Sequence, residues 1–174
     1  MPKNPQVVPF GYEPPKQERR GTLIFYDDFE HTTNEELESA LQYGENHFFT
    51  KFVLYPLHEE TVKRLSKKTV SAFYKREDRL HEWKREQGLS MVVVEGWDGK
   101  RKKYTPIEAA LRHIIEKYPA PHFLYLTPET ANLFASFASF EEWIVKIRLI
   151  LSAEPERLHP KLTKFQHRWG LDTK

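Results

Sequence analysis

The side chains that could do chemistry in this sequence lie in four short polar segments, each of which follows an apolar run. The candidates, in chain order, are Asp27, Asp28, Glu30, His31 and Thr33 in the first segment, His58 in the second, Trp97, Lys100, Arg101, Lys102 and Lys103 in the third, and Thr127, Glu129 and Asn132 in the fourth. Paired carboxylates could bind a divalent cation, and a basic run beside an indole could hold a phosphate group and stack on a base. Acids that follow a strand also cap helices, and basic runs are commonly solvated, so the residues leave both interpretations open.

The short signatures of common catalytic and nucleotide-binding sites do not occur. The sequence contains neither G-x-G-x-x-G nor G-x-x-x-x-G-K-[ST], and it also lacks G-x-S-x-G and H-E-x-x-H. It has no cysteine, which excludes a thiol nucleophile, a disulfide framework and thiolate metal sites. The eight histidines do not have the spacing of a metal site. We therefore expect no cofactor, and the catalytic residues, if there are any, stay unassigned.

Four apolar runs, rich in β-branched and aromatic residues and bounded by polar ones, predict strands. They cover residues 22–26, 52–55, 91–94 and 123–126. Helical spacing of apolar residues occurs between successive runs, which implies right-handed crossovers and a parallel sheet. The fold class is therefore α/β, a three-layer Rossmann-like sheet of at least four strands with flanking helices. Ligands of such sheets bind beyond the carboxyl ends of the strands, which is where the four polar segments lie.

Two further helices are predicted in the second half of the chain. The run Thr105-Pro-Ile-Glu108 has the form of a capping box with proline at the first helical position. The apolar residues of the last core helix are spaced three or four apart, and they are Phe140, Trp143, Ile144, Ile147 and Leu151.

Length and composition indicate one domain with a tail at each end. The chain has 174 residues, of which 39% are hydrophobic and 14% aromatic, enough to bury one core. Five prolines among the first 20 residues predict an extended arm over residues 1–20, followed by a single α/β domain over residues 21–152. Residues 153–174 are a basic C-terminal segment, which could dock on the acidic face of its own domain or of a second copy.

The charge is nearly balanced overall but uneven along the chain. The formal net charge is +2, yet residues 21–60 carry nine acids and one base, and residues 61–90 carry nine bases and four acids. Near balance argues against a nucleic-acid partner. No apolar run approaches the roughly 20 residues of a membrane span, and residues 1–20 lack the features of an export signal. We expect a cytoplasmic protein without a membrane partner.

Residues 79–143 contain a series of short features in a definite order. They are Arg79-Leu80 on a helix, a strand from Val92 that ends in Glu95, the basic residues 100–103 before Tyr104-Thr105, Tyr118-Pro119, the strand at 123–126, and Phe140-Glu-Glu-Trp143. With these features the segment resembles the nicotinate-nucleotide adenylyltransferases of the nucleotidyltransferase superfamily. The remainder of the chain matches only in the order of its elements. The resemblance implies a nucleotide or another phosphate-bearing small molecule as the ligand.

The first polar segment departs from the pattern of that family. The family has glycines at the end of the first strand and His-x-Gly-His at the start of the following helix. An alignment through Phe29 and Leu37 places that motif on Thr33, Asn34, Glu35 and Glu36. Both histidines are therefore absent, and Asp27 and Asp28 replace the glycines. Adenylyl transfer depends on positive donors placed on the transferring phosphate, so acids at these positions would repel a triphosphate unless metal ions intervened.

Three functions are consistent with this sequence. The first is a nucleotidyltransferase-like protein without adenylyltransferase activity that binds at most a nucleotide or phosphate-bearing ligand. We expect residues 100–103, Trp97 and His58 to line that ligand, with Asp27 and Asp28 disfavouring a bare triphosphate. The second is an active nucleotidyltransferase with a relocated or magnesium-dependent site. The third is a non-enzymatic interaction domain, in which a homo-oligomer or another protein uses the basic C-terminal segment.

Overall fold

Six parallel strands form one sheet in the part of the chain that the structure describes. The structure is a computed structural model that describes residues 18–173, so the arm predicted over residues 1–20 lies almost entirely outside the described residues. The strands are β1 (Thr22–Asp27), β2 (Lys51–Pro56), β3 (Val92–Val94), β4 (His122–Leu126), β5 (Arg148–Leu151) and β6 (Trp169–Leu171). All four predicted strands are present, and two more extend the sheet.

Helices connect the strands along the chain. They are α1 (Asn34–Asn46), α2 (Glu59–Ser66), α3 (Phe73–Gln87), α4 (Trp97–Arg101), α5 (Ile107–Lys117), α6 (Pro128–Ala135), α7 (Phe140–Ile144) and α8 (Pro160–Lys164), and a 3₁₀ turn (Gln166–Arg168) precedes β6. None of the helices in residues 18–173 is long and apolar enough to cross a membrane.

The order of the strands in the sheet is β3-β2-β1-β4-β5-β6, and every neighbouring pair is parallel. Thr22 of β1 pairs with Lys51 of β2 on one side and with His122 of β4 on the other. The chain thus moves outward from β1 to β3 and then returns to build the other half of the sheet. The α/β Rossmann-like fold is confirmed, and the order reverses between β1 and β4, where doubly wound sheets open a ligand crevice.

The two faces of the sheet carry separate apolar layers. Along β1, Leu23 and Phe25 point to one face, and Ile24 and Tyr26 point to the other, as the two-residue period of a strand requires. The first face packs on α1 and α3, and the second packs on α2, α5, α6 and α7. Because both faces are covered, the central strands are buried almost throughout, which explains their continuous apolar sequence.

The predicted last core helix is wrong in its second half. Phe140, Trp143 and Ile144 do lie on a helix, α7, but Leu151 belongs to β5. The side chains of Leu149, Ile150 and Leu151 are all buried, because β5 lies between β4 and β6 with both faces covered. An apolar run buried on both faces has no alternation, and its spacing therefore cannot separate a strand from a helix.

The predicted capping box at Thr105 is also wrong. Helix α5 begins at Ile107, and no side chain caps its first turn. Thr105 is buried instead, and its backbone N–H donates to the hydroxyl of Thr61 on α2. A tertiary hydrogen bond has replaced the local one that the sequence motif predicts.

The segment predicted as a basic C-terminal extension contributes β6 to the sheet. Leu149 pairs with Trp169 across the β5–β6 ladder, and the indole N–H of Trp169 donates to the carbonyl of Leu162 at 2.8 Å. The guanidinium of Arg168 donates to the carbonyls of Ile144, the last residue of α7, and of Val145 and Ile147 just beyond it. The guanidinium of Arg168 therefore binds the protein's own domain.

Candidate functional site

Two adjoining cavities lie at the carboxyl ends of β1 and β4, where the strand order reverses. The first has a volume of about 430 Å³ and is lined by Asp27, Asp28, Glu30, His31, Thr32, Glu36, Lys68, Thr69, Val70, Thr127, Glu129 and Thr130. The second, which we call the slot, measures about 270 Å³ between α2 and α6 and is lined by Tyr26, Asp27, Asp28, Leu57, Val62, Leu65, Ser66, Lys68, Glu129, Thr130 and Leu133.

The first cavity is strongly acidic. We call its carboxylates the acidic basin, which consists of Asp27, Asp28, Glu30, Glu36 and Glu129. Lys68 and His31 are the other titratable residues of its lining. A third cavity of about 560 Å³ continues from Glu36 and Glu129 to the loop after β5, where Glu154, Glu156 and Arg157 add two acids and one base. The potential along this part of the sheet edge is therefore negative.

The carboxylates at the end of β1 accept hydrogen bonds from the turn that follows them. Oδ2 of Asp27 accepts from the backbone N–H of Phe29 at 2.9 Å and from the hydroxyl of Thr32 at 3.1 Å. Oδ1 of Asp28 accepts from the backbone N–H of Glu30 at 2.9 Å. Phe29 has a φ of 60°, and its buried ring packs against Phe25 at 4.9 Å. This turn thus points two of its amide donors at carboxylates of the protein itself.

The backbone N–H groups at the start of α1 are also bonded to side chains of the protein itself. Oγ1 of Thr33 accepts from the backbone N–H of Glu36 at 3.1 Å, and the carboxylate of Glu36 accepts from the backbone N–H of Thr33 at 2.8 Å. This is a capping box, and both residues stand at the positions where the resemblance places two histidines. Its negative charge also complements the helix dipole, so it occupies the place where an anion would otherwise bind.

Asp27 is the most perturbed carboxyl of the basin. Burial, with the neighbouring carboxylate of Asp28, raises the pKa of Asp27 to about 6 from an ordinary value of 3.8. Glu30 behaves in the opposite way, because hydrogen bonds from Ser71 and the nearby charge of Arg76 hold the pKa of Glu30 below its ordinary value. Asp27 is therefore held in a place where its negative charge is poorly compensated.

Arg76 connects the loops that surround the basin. Its side chain is 3% exposed, and the guanidinium donates to the carbonyls of Asp28 and Leu57 and, at 3.0 Å, to that of Ser71. These three carbonyls belong to the loops after β1, after β2 and between α2 and α3. The guanidinium also lies 3.5 Å from a carboxylate oxygen of Glu59. Arg76 is therefore the cation that shapes the site, although it does not line either cavity.

His58, the candidate of the second polar segment, caps a helix. Its Nδ1 accepts from the backbone N–H of Glu60 at the start of α2, and its ring stacks on Phe73. Its own backbone N–H donates to the buried carboxylate of Asp98 at 2.7 Å. The structure places His58 next to α3 and α4, outside the lining of both cavities.

Trp97, the predicted stacking residue, lies at the start of α4 rather than in an open loop. Its indole stacks on the imidazole of His113 with 4.2 Å between ring centroids, and the guanidinium of Arg101 lies 5.2 Å from the indole centroid. Its backbone N–H donates to the buried carboxylate of Glu95, which also accepts from Lys117 and Tyr118. The indole already has stacking partners on both α4 and α5.

The basic residues of the third segment, which we call the basic segment, are Lys100, Arg101, Lys102 and Lys103. They follow β3, which is an edge strand, so two strands of the sheet separate them from the switch point. Arg101 donates to the hydroxyl of Thr105 at 2.8 Å and to the carbonyl of Tyr104. The three lysines are exposed. The basic segment lines neither the first cavity nor the slot.

The fourth segment does reach the basin. Thr127 caps α6 by accepting from the backbone N–H of Thr130, and Glu129 in the first turn of that helix lines all three cavities. Asn132 donates to the carbonyl of Arg157 and accepts from the backbone N–H of His159, so it holds the loop after β5. The structure therefore brings Asp27, Asp28, His31 and Glu129 together, places Thr33 in the adjoining helix cap, and separates them from His58, Trp97 and the basic segment.

Four groups that matter for this site were not identified from the sequence. They are Arg76, which we call the clamp because it connects three loops, Lys68, which lies at the rim of both cavities, the apolar walls of the slot, and the buried acid Asp98. Arg76 and Lys68 lie in a stretch of nine bases, where nothing in the spacing distinguishes them. Burial raises the pKa of Asp98, but its position between two glycines gave no sign that it would be buried. Within residues 18–173 no group of three or more histidine, aspartate or glutamate side chains is placed to hold a metal ion.

The same fold occurs in a solved structure from Vibrio parahaemolyticus, a protein provisionally identified as a nicotinate-nucleotide adenylyltransferase. The match has a TM-score of 0.58 at 19% sequence identity and covers 85% of each chain. No family model matches the sequence, and no curated protein is detectably similar to it. At this identity the likeness shows the fold alone, an α/β Rossmann-like fold that the two chains share.

Proposed function

We propose that this chain is a nucleotidyltransferase-like protein that binds a small ligand and does not catalyse adenylyl transfer. One observation carries the proposal: the amide donors of the β1–α1 turn and of the α1 start are bonded to side chains of the protein itself. The acceptors are Asp27, Asp28, Thr33 and Glu36. In a phosphoryl-transfer site these donors would stabilise the charge on the transferring group.

Electrostatics at the basin supports the same conclusion. Two unit charges about 8 Å apart interact by about 2 kcal/mol at an effective dielectric constant of about 20. The acidic basin has five carboxylates around one cavity, against one lysine. A charge-assisted hydrogen bond is worth about 1.5–3 kcal/mol. The summed repulsion on a triphosphate therefore exceeds what the single ammonium of Lys68 could offset.

The basic segment offers positive charge to a phosphate-bearing ligand. Lys100, Lys102 and Lys103 are exposed and form no salt bridge with another described residue. Three ammonium groups in four residues suit a monophosphate, since lysine binds phosphate as a point charge. A phosphate group bound there would lie two strands away from the switch point and would not meet the carboxylates of the acidic basin.

The test is pyrophosphate release from nicotinate mononucleotide and ATP in the presence of magnesium. We expect a rate equal to that of the buffer blank, with an active nicotinate-nucleotide adenylyltransferase as the positive control. A turnover on the order of 1 per second, which is ordinary for an enzyme, would contradict the proposal. The Asp28→Asn variant serves as the control for contamination, because a real activity at this site would change with it.

A further inference from the structure

The slot differs from the rest of the acidic edge because its walls are apolar. Leu57 after β2, Val62 and Leu65 of α2, and Leu133 of α6 form the apolar part of the lining of this cavity of about 270 Å³. The carboxylates of Asp27, Asp28 and Glu129 stand at the same cavity. An apolar chamber with a few convergent polar groups is the usual form of a small-molecule site.

Asp27 has one carboxylate oxygen without a hydrogen-bond donor among the described residues. Its Oδ2 accepts two hydrogen bonds, whereas Oδ1 accepts none. Asp27 lines both the first cavity and the slot, so its carboxylate can accept a hydrogen bond from a bound group there.

The charge of the slot decides which ligand suits it. An anion would meet three carboxylates, and a neutral apolar molecule would leave Asp27 uncompensated in a half-buried place. Lys68 is the cation of the protein at this rim, but it is exposed and makes no salt bridge with Asp27, Asp28 or Glu129. A ligand that brings its own positive charge, with an apolar body behind it, satisfies both features.

We propose that the slot binds a small organic cation, with a primary ammonium or guanidinium group at Asp27 and Glu129 and an apolar body against Leu57, Leu65 and Leu133. This inference goes beyond the proposed function, because the phosphate-bearing ligand is expected at the basic segment and the slot is a separate site at the switch point. It needs no chemical step, since the cation is bound and not converted.

The experiment is calorimetric titration of the full chain with three probes of nearly equal shape. They are 2-phenylethylamine, the neutral 2-phenylethanol and the anion phenylacetate. For a probe of this size we expect the amine to bind with a dissociation constant of about 1 mM. We expect the alcohol to bind at least roughly tenfold more weakly, and phenylacetate to give no heat, because only the amine compensates the carboxylates.

Variants locate the binding. Asp27→Asn should weaken amine binding roughly tenfold, and Glu129→Gln roughly threefold because that carboxylate is exposed. Lys68→Gln should strengthen it by about two- to threefold, since the competing ammonium is gone. Glu154→Gln is the matched control, because Glu154 lines only the third cavity and should leave the affinity unchanged.

Several results would overturn the inference. They are an amine that gives no heat at millimolar concentration, an alcohol that binds as well as the amine, or an Asp27→Asn variant with unchanged affinity and a native circular-dichroism spectrum. The outcome is independent of the turnover assay. If the amine binds and pyrophosphate is released, the proposed function alone is refuted. If the amine does not bind and no pyrophosphate is released, the ligand class alone is refuted.

Discussion

The acidic basin and the basic segment lie at the same edge of one sheet and differ in almost every physical respect. The basin is concave, stands where the strand order reverses, and uses its carboxylates to bond its own backbone. The basic segment follows an edge strand and exposes its lysines to solvent. Position in the sheet therefore decides which charged residues can surround a ligand, and charge decides which ligand that is.

Each region also has one arginine that is used for structure. Arg76 is buried and bonds three loops around the basin, whereas Arg101 bonds Thr105 and the carbonyl of Tyr104 while packing on Trp97. In both regions the guanidinium forms its hydrogen bonds within the protein, whereas the exposed lysines are available to bind a partner. This matches the fixed planar donors of arginine and the flexible point charge of lysine.

The largest expected effect is the loss of the clamp beside the basin. Arg76→Met should lower the free energy of unfolding by about 3–5 kcal/mol, because three carbonyls and the carboxylates of Glu30 and Glu59 lose their buried partner. Urea denaturation measures it. Arg79→Met is the matched control on the same helix, since Arg79 makes one exposed hydrogen bond, to Asn34. Equal losses in the two variants would mean that Arg76 does not organise the basin.

The second prediction concerns phosphate binding at the basic segment. Lys102→Ala with Lys103→Ala should weaken calorimetric binding of a mononucleotide by about 1–3 kcal/mol if both ammonium groups bond the phosphate. The fold should be unaffected, with a stability change within about 0.5 kcal/mol, because both side chains are exposed. Arg101→Ala is the contrasting variant. It should lower the stability of the fold more than the double lysine variant does, because Arg101 bonds Thr105 and the carbonyl of Tyr104. An unchanged affinity in the double variant would remove the phosphate role from this segment.

The smallest predicted effect is the gain in stability that results from replacing the charged Asp27 of the basin by a neutral residue. The pKa of Asp27 lies near 6 in the folded chain against 3.8 ordinarily, so the folded state resists its ionisation. The wild type should therefore lose stability as pH rises from about 4 through 6, and the loss should be complete above the folded pKa. Asp27→Asn should remove this loss, which corresponds to about 3 kcal/mol for the full rise in pKa. The net gain at pH 7 should be about 1–2 kcal/mol, because an amide oxygen accepts more weakly than a carboxylate from Phe29 and Thr32.

Denaturation at several pH values between 4 and 8 checks this result. The difference between variant and wild type should be small at pH 4 and grow with pH. Asp78→Asn, on the exposed side of α3, is the control and should change stability by less than about 0.5 kcal/mol. A variant that is less stable than the wild type at pH 7 would show that the charge of Asp27 supports the fold.

The central strands could be predicted because the covered sheet imposes an apolar run on each of them. Residues 52–55 lie between two other strands and under helices on both faces, and composition alone indicates this. β6 could not be predicted, since Trp169, Gly170 and Leu171 have no strand pattern and become a strand by pairing with β5. The start of α5 could not be predicted either. The backbone N–H of Thr105, which a capping box would bond to a side chain of its own helix, donates to the hydroxyl of Thr61 instead.

The location of the candidate site was predictable in part. A parallel sheet places the polar segments at one edge, and Asp27, Asp28 and Glu129 do meet there. The pattern does not contain the order of strands, however, so nothing in it separates the central first segment from the third segment at the edge. The self-bonding of the β1–α1 turn depends on the direction of individual carboxylates, which spacing cannot give.

The seam between β1 and β4 has a consequence for how the chain folds. Thr22 pairs with His122, 100 positions later, whereas its partner in β2 is Lys51, 29 positions later. Closing the longer loop costs about 1 kcal/mol more in chain entropy, and contacts of this kind tend to form late. Both cavities need residues from each side of the seam, so neither exists until the two halves have joined. A molecule bound in the slot would therefore bind only the completely paired sheet, and it would slow the separation of the two halves.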